Sequence, residues 1–315
     1  MEQNKYTALV ILNYNNYEDT FNCIESIEKH NTSPIKIIIV DNGSTRQGTV
    51  EAIDKYLRTK YTNKYKHIRD TEQLLSLPYI TFVESVTNDG YATGNNKGLK
   101  YAYKDSEVRH ILVLNNDILF LEDMIDKLIG IHSQMPQCAI VSPVLYKKDL
   151  ESYDLACARL SHTNWEIILM FLFQFRNIFG LMAKFERRRC LLQNTSNNQS
   201  PFPIELPSGS CMLFEKSLMN KIKIFDPYTF LYFEENILFK QIFRVGMKNY
   251  IVPDLKCVHL GASSTNNCSN AFVGINLLRS ADYYLHIYSD MSNLQKIVWC
   301  IAKAIIIIKY KIKSL

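Results

Sequence analysis

Two periods of hydrophobic and polar positions alternate along the first half of the chain. Thr7–Leu12, Ile35–Val40 and Ile111–Leu114 are almost continuously apolar over strand length, as expected of strands buried on both faces. Between the first two, Tyr17–His30 carries Phe21, Ile24 and Ile27 at helical spacing. The pattern predicts strand Tyr6–Asn13, helix Tyr17–His30, strand Ile35–Asp41, helix Thr49–Thr59 and an exposed basic loop Lys60–Arg69. Strand Tyr79–Glu84, a helix ending near Lys104, strand His110–Asn115, helix Glu122–Met135 and strand Ala139–Tyr146 follow, with Pro136 stopping the last helix. Strands that alternate with helices imply an α/β fold: a mostly parallel, doubly wound sheet with helices on both faces.

Three of these strands end alike. The first runs into Asn13-Tyr14-Asn15-Asn16, the second into Asp41-Asn42-Gly43-Ser44-Thr45, and the fourth into Asn115-Asn116-Asp117. Ligands in an open parallel sheet sit beyond the carboxyl ends of the strands, so a nucleotide crevice is expected there. An acid such as Asp117 suits a divalent cation held against a phosphate, although an Asx turn would place the same residue at a strand end.

The second half is less regular. Trp165–Arg189 is apolar and then basic, with Glu166, Gln174 and Arg176 interrupting it too often for a membrane span. Gln193–Pro207 reads as a loop, Gly209–Glu215 as a short strand and Ser217–Ile224 as a short helix. A helix over Asn236–Val245 stops at Gly246. Strand Lys248–Pro253, the segment Cys257–Gly261, a helix over Asn270–Tyr288 and a lysine-rich apolar tail complete the chain.

Composition narrows the class. With 315 residues, 47% of them hydrophobic, the chain can build a large core in one or two domains. A net charge of +5, without a basic stripe interleaved with stacking aromatics, argues against a nucleic-acid partner. Eight cysteines show no CxxC pair or zinc spacing and read as mostly reduced core thiols. A strand begins almost at the N-terminus, so no signal peptide is expected and the protein is read as cytoplasmic.

Five motifs in order carry a family resemblance: Asn13-Tyr14-Asn15, Val40-Asp41-Asn42-Gly43-Ser44-Thr45, the stretch Gly90 to Gly98 with Asn95 and Asn96, Leu114-Asn115-Asn116-Asp117, and Tyr232-Phe233-Glu234-Glu235 followed by His259. Over roughly residues 6–265 the chain resembles inverting GT-A-fold glycosyltransferases of family 2, in the rhamnosyltransferase-like branch that builds bacterial surface polysaccharide. The resemblance implies a GT-A domain over 1–265, with a nucleotide-sugar half to about 146 and an acceptor half from 147, and a C-terminal helical appendage over 266–315. It implies donor contacts from Asn13, Asn15, Asp41, Asn42, Gly43, Ser44, Gly90, Asn95, Asn96, Asn115 and Asn116. Asp117 and His259 would hold Mn²⁺ or Mg²⁺, largely through the donor phosphates. In the acidic pair, Glu235 would be the base beside Glu234. Ser208–Phe214 resembles the strand bordering the acceptor. The implied donor is a UDP- or dTDP-sugar, dTDP-rhamnose among them, and the acceptor a lipid-linked or growing surface glycan.

Each residue also has a plainer reading. Asp41 suits the cap of the Asn42-Gly43 turn, Gly90–Gly98 a bare helix-entry loop, the acidic pair a solvated helix start, and His259 an ordinary structural histidine. The chain departs from the family in having Glu at 235 for Asp, and Ile237 and Gln241 where Asp and Arg are frequent. A sugar-phosphate nucleotidyltransferase would share the sheet but needs a Gly-rich basic loop after the first strand, which Asn13–Asn16 does not supply. A catalytically degenerate glycan-binding protein is the non-enzymatic alternative. The tail offers Trp299, Ile301, Ile305 and Ile308 with Lys296, Lys303, Lys309, Lys311 and Lys313, either as an interfacial segment on an anionic membrane at the inner face of the cell, or as a helix docked on the core. Arg187–Arg189 is a second candidate membrane contact.

Overall fold

The polar strand ends are brought level by register. The computed structural model describes residues 5–176, 180–194, 200–261 and 269–310. The first half comprises β1 (Tyr6–Asn13), α1 (Tyr17–His30), β2 (Ile35–Asn42), α2 (Thr49–Tyr61), β3 (Tyr65–Arg69), β4 (Ile80–Ser85), α3 (Gly90–Lys104), β5 (Val108–Asn115), β6 (Ile118–Phe120), α4 (Ile125–Gln134) and β7 (Cys138–Tyr146). β1 lies between β2 and β5, parallel to both, with Asn13 opposite Asp41 and Leu12 opposite Asn115. Asn13, Asp41 and Asn115 therefore emerge along one sheet edge.

Then come β8 (Ala158–Arg159), α5 (Asn164–Leu172), α6 (Leu181–Arg189), α7 (Leu191–Asn194), β9 (Phe202–Ile204), β10 (Leu206–Pro207), β11 (Cys211–Glu215), α8 (Glu234–Arg244), β12 (Lys248–His259), α9 (Asn270–Tyr283) and α10 (Asn293–Tyr310). A ten-stranded sheet runs β3-β4-β2-β1-β5-β11-β7-β12-β6, with β9 added beside β12; β8 and β10 pair separately. The antiparallel β11 is inserted between β5 and β7, so strands from both halves share one sheet.

Alternate residues of the central strands face two cores. Leu9, Ile11, Ile37, Ile39, Leu112 and Leu114 belong to one. Ala8, Val10, Ile38, Val40, Ile111 and Val113 belong to the other. Each buried Leu, Ile or Val adds about 1.5–3 kcal/mol, which is why these strands are apolar throughout. A third cluster joins Ile167, Phe171, Phe233, Ile237, Trp299 and Ile306.

Several elements differ from expectation. Residues 65–69 form edge strand β3 rather than a loop; only Ile68 is buried, so the pattern is too polar to read as a strand. Tyr65 and His67 are held by Asp54 (2.7 and 3.1 Å), and His67 also by Glu84 (3.0 Å). β9 and β10 replace part of the expected loop before Pro207. The helix expected over 217–224 shrinks to a 3-10 turn at Lys216–Asn220. α8 begins at Glu234, two residues earlier than expected. Cys300 is exposed, unlike the buried Cys23, Cys138, Cys157, Cys190, Cys211 and Cys257, and Cys268 lies outside the described residues.

The tail is a helix docked on the core, and Trp299 is no boundary residue. Its ring meets Phe171 edge-on (5.1 Å, 82°), and its indole N–H donates to Asp282 at 2.7 Å. Ile301 and Ile308 do face outward, Ile305 is half-buried, and Lys311 and Lys313 lie outside the described residues. Arg187–Arg189 is not one basic patch: Arg188 grips Glu166 (3.0 and 2.7 Å) and Arg189 is buried. Among the described residues, no helix is long and apolar enough to cross a membrane.

Candidate active site

The loops after β1 and β2 are locked to each other. Asp41 is fully buried, and its carboxylate accepts from Asn13 Nδ2 (2.7 Å), Ser44 N (3.0 Å) and Ser44 Oγ (2.5 Å). The Asp41 carboxylate therefore positions the loop in this structure. Asn15, in the left-handed region at φ 61°, accepts from Thr45 N (2.7 Å) and Arg46 N (2.8 Å). Gly43 turns beside Thr87 at φ +66°. Asn42 donates to Asn88 and to the Gly90 carbonyl, both at 3.0 Å. Gly90 sits at φ +82° against the Phe230 backbone, where any Cβ would collide.

Several predicted donor residues turn out to hold the scaffold. Asn116 Nδ2 donates to Asn16 O (2.7 Å), Thr20 Oγ1 (3.1 Å) and Asn13 Oδ1 (3.2 Å). Asn96 donates to the Phe225 carbonyl at 2.9 Å and Asn95 to Tyr91 O at 3.0 Å. Asn115, by contrast, lines a cavity and donates to Ser210 Oγ at 3.1 Å.

Asp117 and His259 meet as the sequence predicted. His259 Nε2 lies 3.4 Å from Asp117 Oδ2 and Nδ1 lies 3.2 Å from Asp154 Oδ2. Burial opposes a charge on the imidazole, but the two carboxylates outweigh it and push His259 up to about 10. Burial also acts against the Asp154 charge, yet hydrogen bonding from His259 holds that carboxyl below its ordinary range. Asp117 Oδ1 is buried without a partner among the described residues. Such an orphan beside an imidazole suits a borderline cation such as Mn²⁺, with O and N donors. Among the described residues, no group of three or more His, Cys, Asp or Glu side chains is arranged to hold a metal.

The acidic pair is aimed by strained backbone. Tyr232 and Phe233 both lie in the left-handed region (φ 75° and 68°), a conformation costing on the order of 1–3 kcal/mol per residue. α8 starts immediately afterwards, with both acids in its first turn. Glu234 points into the interior, Oε1 unpartnered. Burial and the neighbouring Glu235 push its carboxyl up to about 8. Glu235 is half-buried, lines the cavity and accepts from Gly209 N at 3.1 Å. The unusual residues on this helix are absorbed: Ile237 is core, and Gln241 exchanges hydrogen bonds with the Lys223 backbone (3.2 and 2.8 Å).

Gly209 and Ser210 connect the two centres. Ser210 Oγ is 3.4 Å from His259 Nε2, while Gly209 N reaches Glu235. A Cβ on Gly209 would press on Tyr91 Oη and Glu235 Oε1, at 2.9 and 3.0 Å. Tyr91 donates to Gly209 O at 2.7 Å. Sequence reading missed Asp154, Arg159 and Tyr91. Asp154 and Arg159 have no motif partner nearby in sequence, whereas Tyr91 fell inside the Gly90–Gly98 stretch without being singled out.

The sequence profile of "Glycosyl transferase family 2" matches residues 8–221. The low-salt glycan biosynthesis hexosyltransferase Agl10 of Haloferax volcanii is 24% identical over 229 residues, covering 72% of this chain and 58% of the relative. An N-acetylglucosaminyl-diphospho-decaprenol L-rhamnosyltransferase of Mycobacterium tuberculosis is 22% identical over 240 residues, 74% of this chain and 68% of that one. The chain thus spans little more than half the length of the haloarchaeal relative. Among solved structures, GalNAc-T7 with UDP, GalNAc and Mn²⁺ aligns over 100% of this chain and 56% of its own, with a TM-score of 0.59 and 12% identity. That likeness shows a GT-A-like fold. Since the profile covers the strand ends, the Asp117 turn and β11, the chain belongs to glycosyl transferase family 2.

Proposed function

We propose that the protein transfers a sugar, with inversion, from a UDP- or dTDP-sugar to a lipid-linked or growing surface glycan. One observation carries the reading: the adjacent Gly209 and Ser210 contact Glu235 and His259 respectively, so a cation at the Asp117–His259 pair and a base at Glu235 would be linked through neighbouring residues. Asp117 and His259 would hold Mn²⁺ or Mg²⁺ against the donor diphosphate, and the cation would neutralise the leaving group. The Asn115 amide and Ser210 hydroxyl border that position. Glu235 would take the proton of the acceptor hydroxyl while Gly209 N holds its other face. Glu234, whose neutral form is favoured by burial, would take no part in that proton transfer. The crevice formed by Asn13, Asn15, Asp41, Asn42, Gly43 and Ser44 would seat the nucleoside through the shape of the locked loops. The relative named for a diphospho-decaprenol acceptor supports a lipid-linked substrate.

Titration with UDP, dTDP and GDP, with and without Mn²⁺, tests the reading. At 100 times its dissociation constant the right nucleotide stabilises the fold by about 2.7 kcal/mol. Asp117→Asn is expected to abolish the Mn²⁺-dependent part in a folded protein. An unchanged Mn²⁺ response would remove Asp117 from the cation site.

A further inference from the structure

The cavity that contains Glu235 has a volume of about 440 Å³ and a divided lining. Asn115, Gly209, Ser210 and Glu235 supply polar groups. Met170, Phe171, Phe175 and Leu277 supply an apolar part. Arg159 and Arg189 supply a cationic part, with His162 and Glu186 beside them. A second cavity of about 490 Å³ shares Arg159 and Glu186 and reaches Asp154. Arg159 thus stands between the cation pair and the base.

Charge in this corner is not balanced. Arg189 is 1% exposed; it donates to Leu160 O (2.9 Å) and Glu186 Oε1 (3.0 Å), and its Nη1 is 2.6 Å from His162 Nε2. Burial pushes His162 down, so it meets Arg189 as a neutral acceptor. Burial, then the nearby Arg159 charge, lowers Arg189 as well. Arg159 spends only Nε, on the Ala156 carbonyl at 3.1 Å, and has no ion pair among the described residues. Glu186 is bonded to Arg189, while Arg159 feels Glu186 and Asp154 only at longer range. Guanidinium forks match phosphate oxygens in pairs, and a bound anion would relieve their mutual repulsion. An apolar wall beside such a pair fits a molecule that is anionic at one point and hydrocarbon at the next.

We infer that Arg159 and Arg189 form a phosphate subsite for a polyprenyl-diphosphate acceptor, with Met170, Phe171 and Phe175 receiving the first isoprene units. This rests on the transferase reading above and names its acceptor class. The same diphosphate chemistry could come from the donor, and the test separates the two sources.

Calorimetric titration of the full chain with farnesyl diphosphate, farnesol, inorganic diphosphate, and UDP or dTDP with Mn²⁺ decides it. The wild type should bind farnesyl diphosphate at least tenfold more tightly than farnesol. Arg159→Ala should weaken farnesyl diphosphate tenfold or more and leave the nucleotide within twofold, which also shows that the variant folds. Arg159→Lys should fall between, because it keeps charge and loses the fork. Phe175→Ser should weaken farnesyl diphosphate and spare inorganic diphosphate. Unchanged farnesyl diphosphate affinity in Arg159→Ala overturns the subsite. A matching loss of nucleotide affinity reassigns Arg159 to the donor and overturns it too. A wild type that binds farnesyl diphosphate but no nucleotide would sink the transferase reading while leaving the subsite standing.

Discussion

The crevice at the ends of β1 and β2 and the corner where β5, β11, β12 and α8 meet are built on opposite principles. In the crevice, polar groups satisfy one another: Asp41 takes three hydrogen bonds, Asn15 two from backbone N–H groups, and Asn116 gives three. In the corner, Asp117 Oδ1, Glu234 Oε1 and Asn236 Nδ2 are buried without partners among the described residues, and two non-glycine residues hold left-handed backbone. A buried polar atom left unpaired costs about 1–3 kcal/mol, so a fold keeps one mainly where something else engages it. Unpaired buried atoms occur elsewhere too, among them Asn95 Oδ1 and Ser142 Oγ, but in the corner they cluster beside the cavity. On the proposed function, the crevice would be the rigid receptor and the corner would keep its unpaired groups for a cation, a proton or a substrate.

The sharpest break of that comparison is at Glu235. Glu235→Gln is expected to lower turnover by roughly 10²–10⁴ with donor affinity unchanged, since Gln still accepts from Gly209 N but cannot take a proton. Steady-state kinetics beside nucleotide titration reads both. If Glu234→Gln gives that pattern instead, the base lies on the interior acid and the cavity-lining position of Glu235 is incidental.

Next in size is the opposite prediction for the crevice. Asp41→Ala leaves Asn13 and Ser44 without their acceptor and should cost roughly 1–3 kcal/mol of stability in the absence of ligand, measured by denaturant unfolding. Unchanged stability with lost nucleotide affinity would make Asp41 a direct reader of the base and erase the contrast.

Legibility in the sequence divides along the same line. β1 and α1 fall at their predicted bounds because a continuous apolar run of strand length and 3.6-residue amphipathicity are local signals. Asp117, His259 and Glu235 were legible as motif positions, and the fold brings the first two within 3.4 Å. Their surroundings were not legible. Asp154 enters through a pairing 105 residues away in sequence, and Arg159 through strand β8, two residues long. Neither leaves a periodic trace. The scaffold bonds of Asn96 and Asn116 were equally hidden, because an amide that anchors a loop looks the same in sequence as one that greets a ligand.

Glu234 gives a smaller, pH-dependent test. Its folded pKa is raised from 4.5 to about 8, so the fold favours the protonated acid. That contribution is fully present below about pH 4.5 and is lost as pH rises through about 8. Glu234→Gln removes the titration, so between about pH 4.5 and pH 8 its Tm should hold while that of the wild type falls. Parallel declines would show that Glu234 is already ionised in the fold, and the corner would lose one of its unspent groups.

The smallest expected effect extends the comparison to the surface. α10 docks through Trp299, Ala302 and Ile306, yet leaves Leu294 (60%), Ile297 (60%), Ile301 (52%) and Ile308 (75%) exposed along its outer side. An apolar row in water is another unspent feature, and exposed Lys296 and Lys309 beside it complement an anionic bilayer. Each lysine near such a surface adds about 1 kcal/mol, and that part weakens as salt rises. The full chain should therefore sediment with anionic vesicles at low salt and release as salt is raised. Ile297→Glu with Ile301→Glu should cut binding severalfold and leave nucleotide affinity unchanged, because neither side chain reaches the crevice. Removing residues 294–315 is a poorer probe: it strips Trp299 from Phe171 and should cost solubility first. If the double variant binds vesicles like the wild type, the row is not a membrane face; if instead the wild type self-associates through it, a second copy of the chain is its partner.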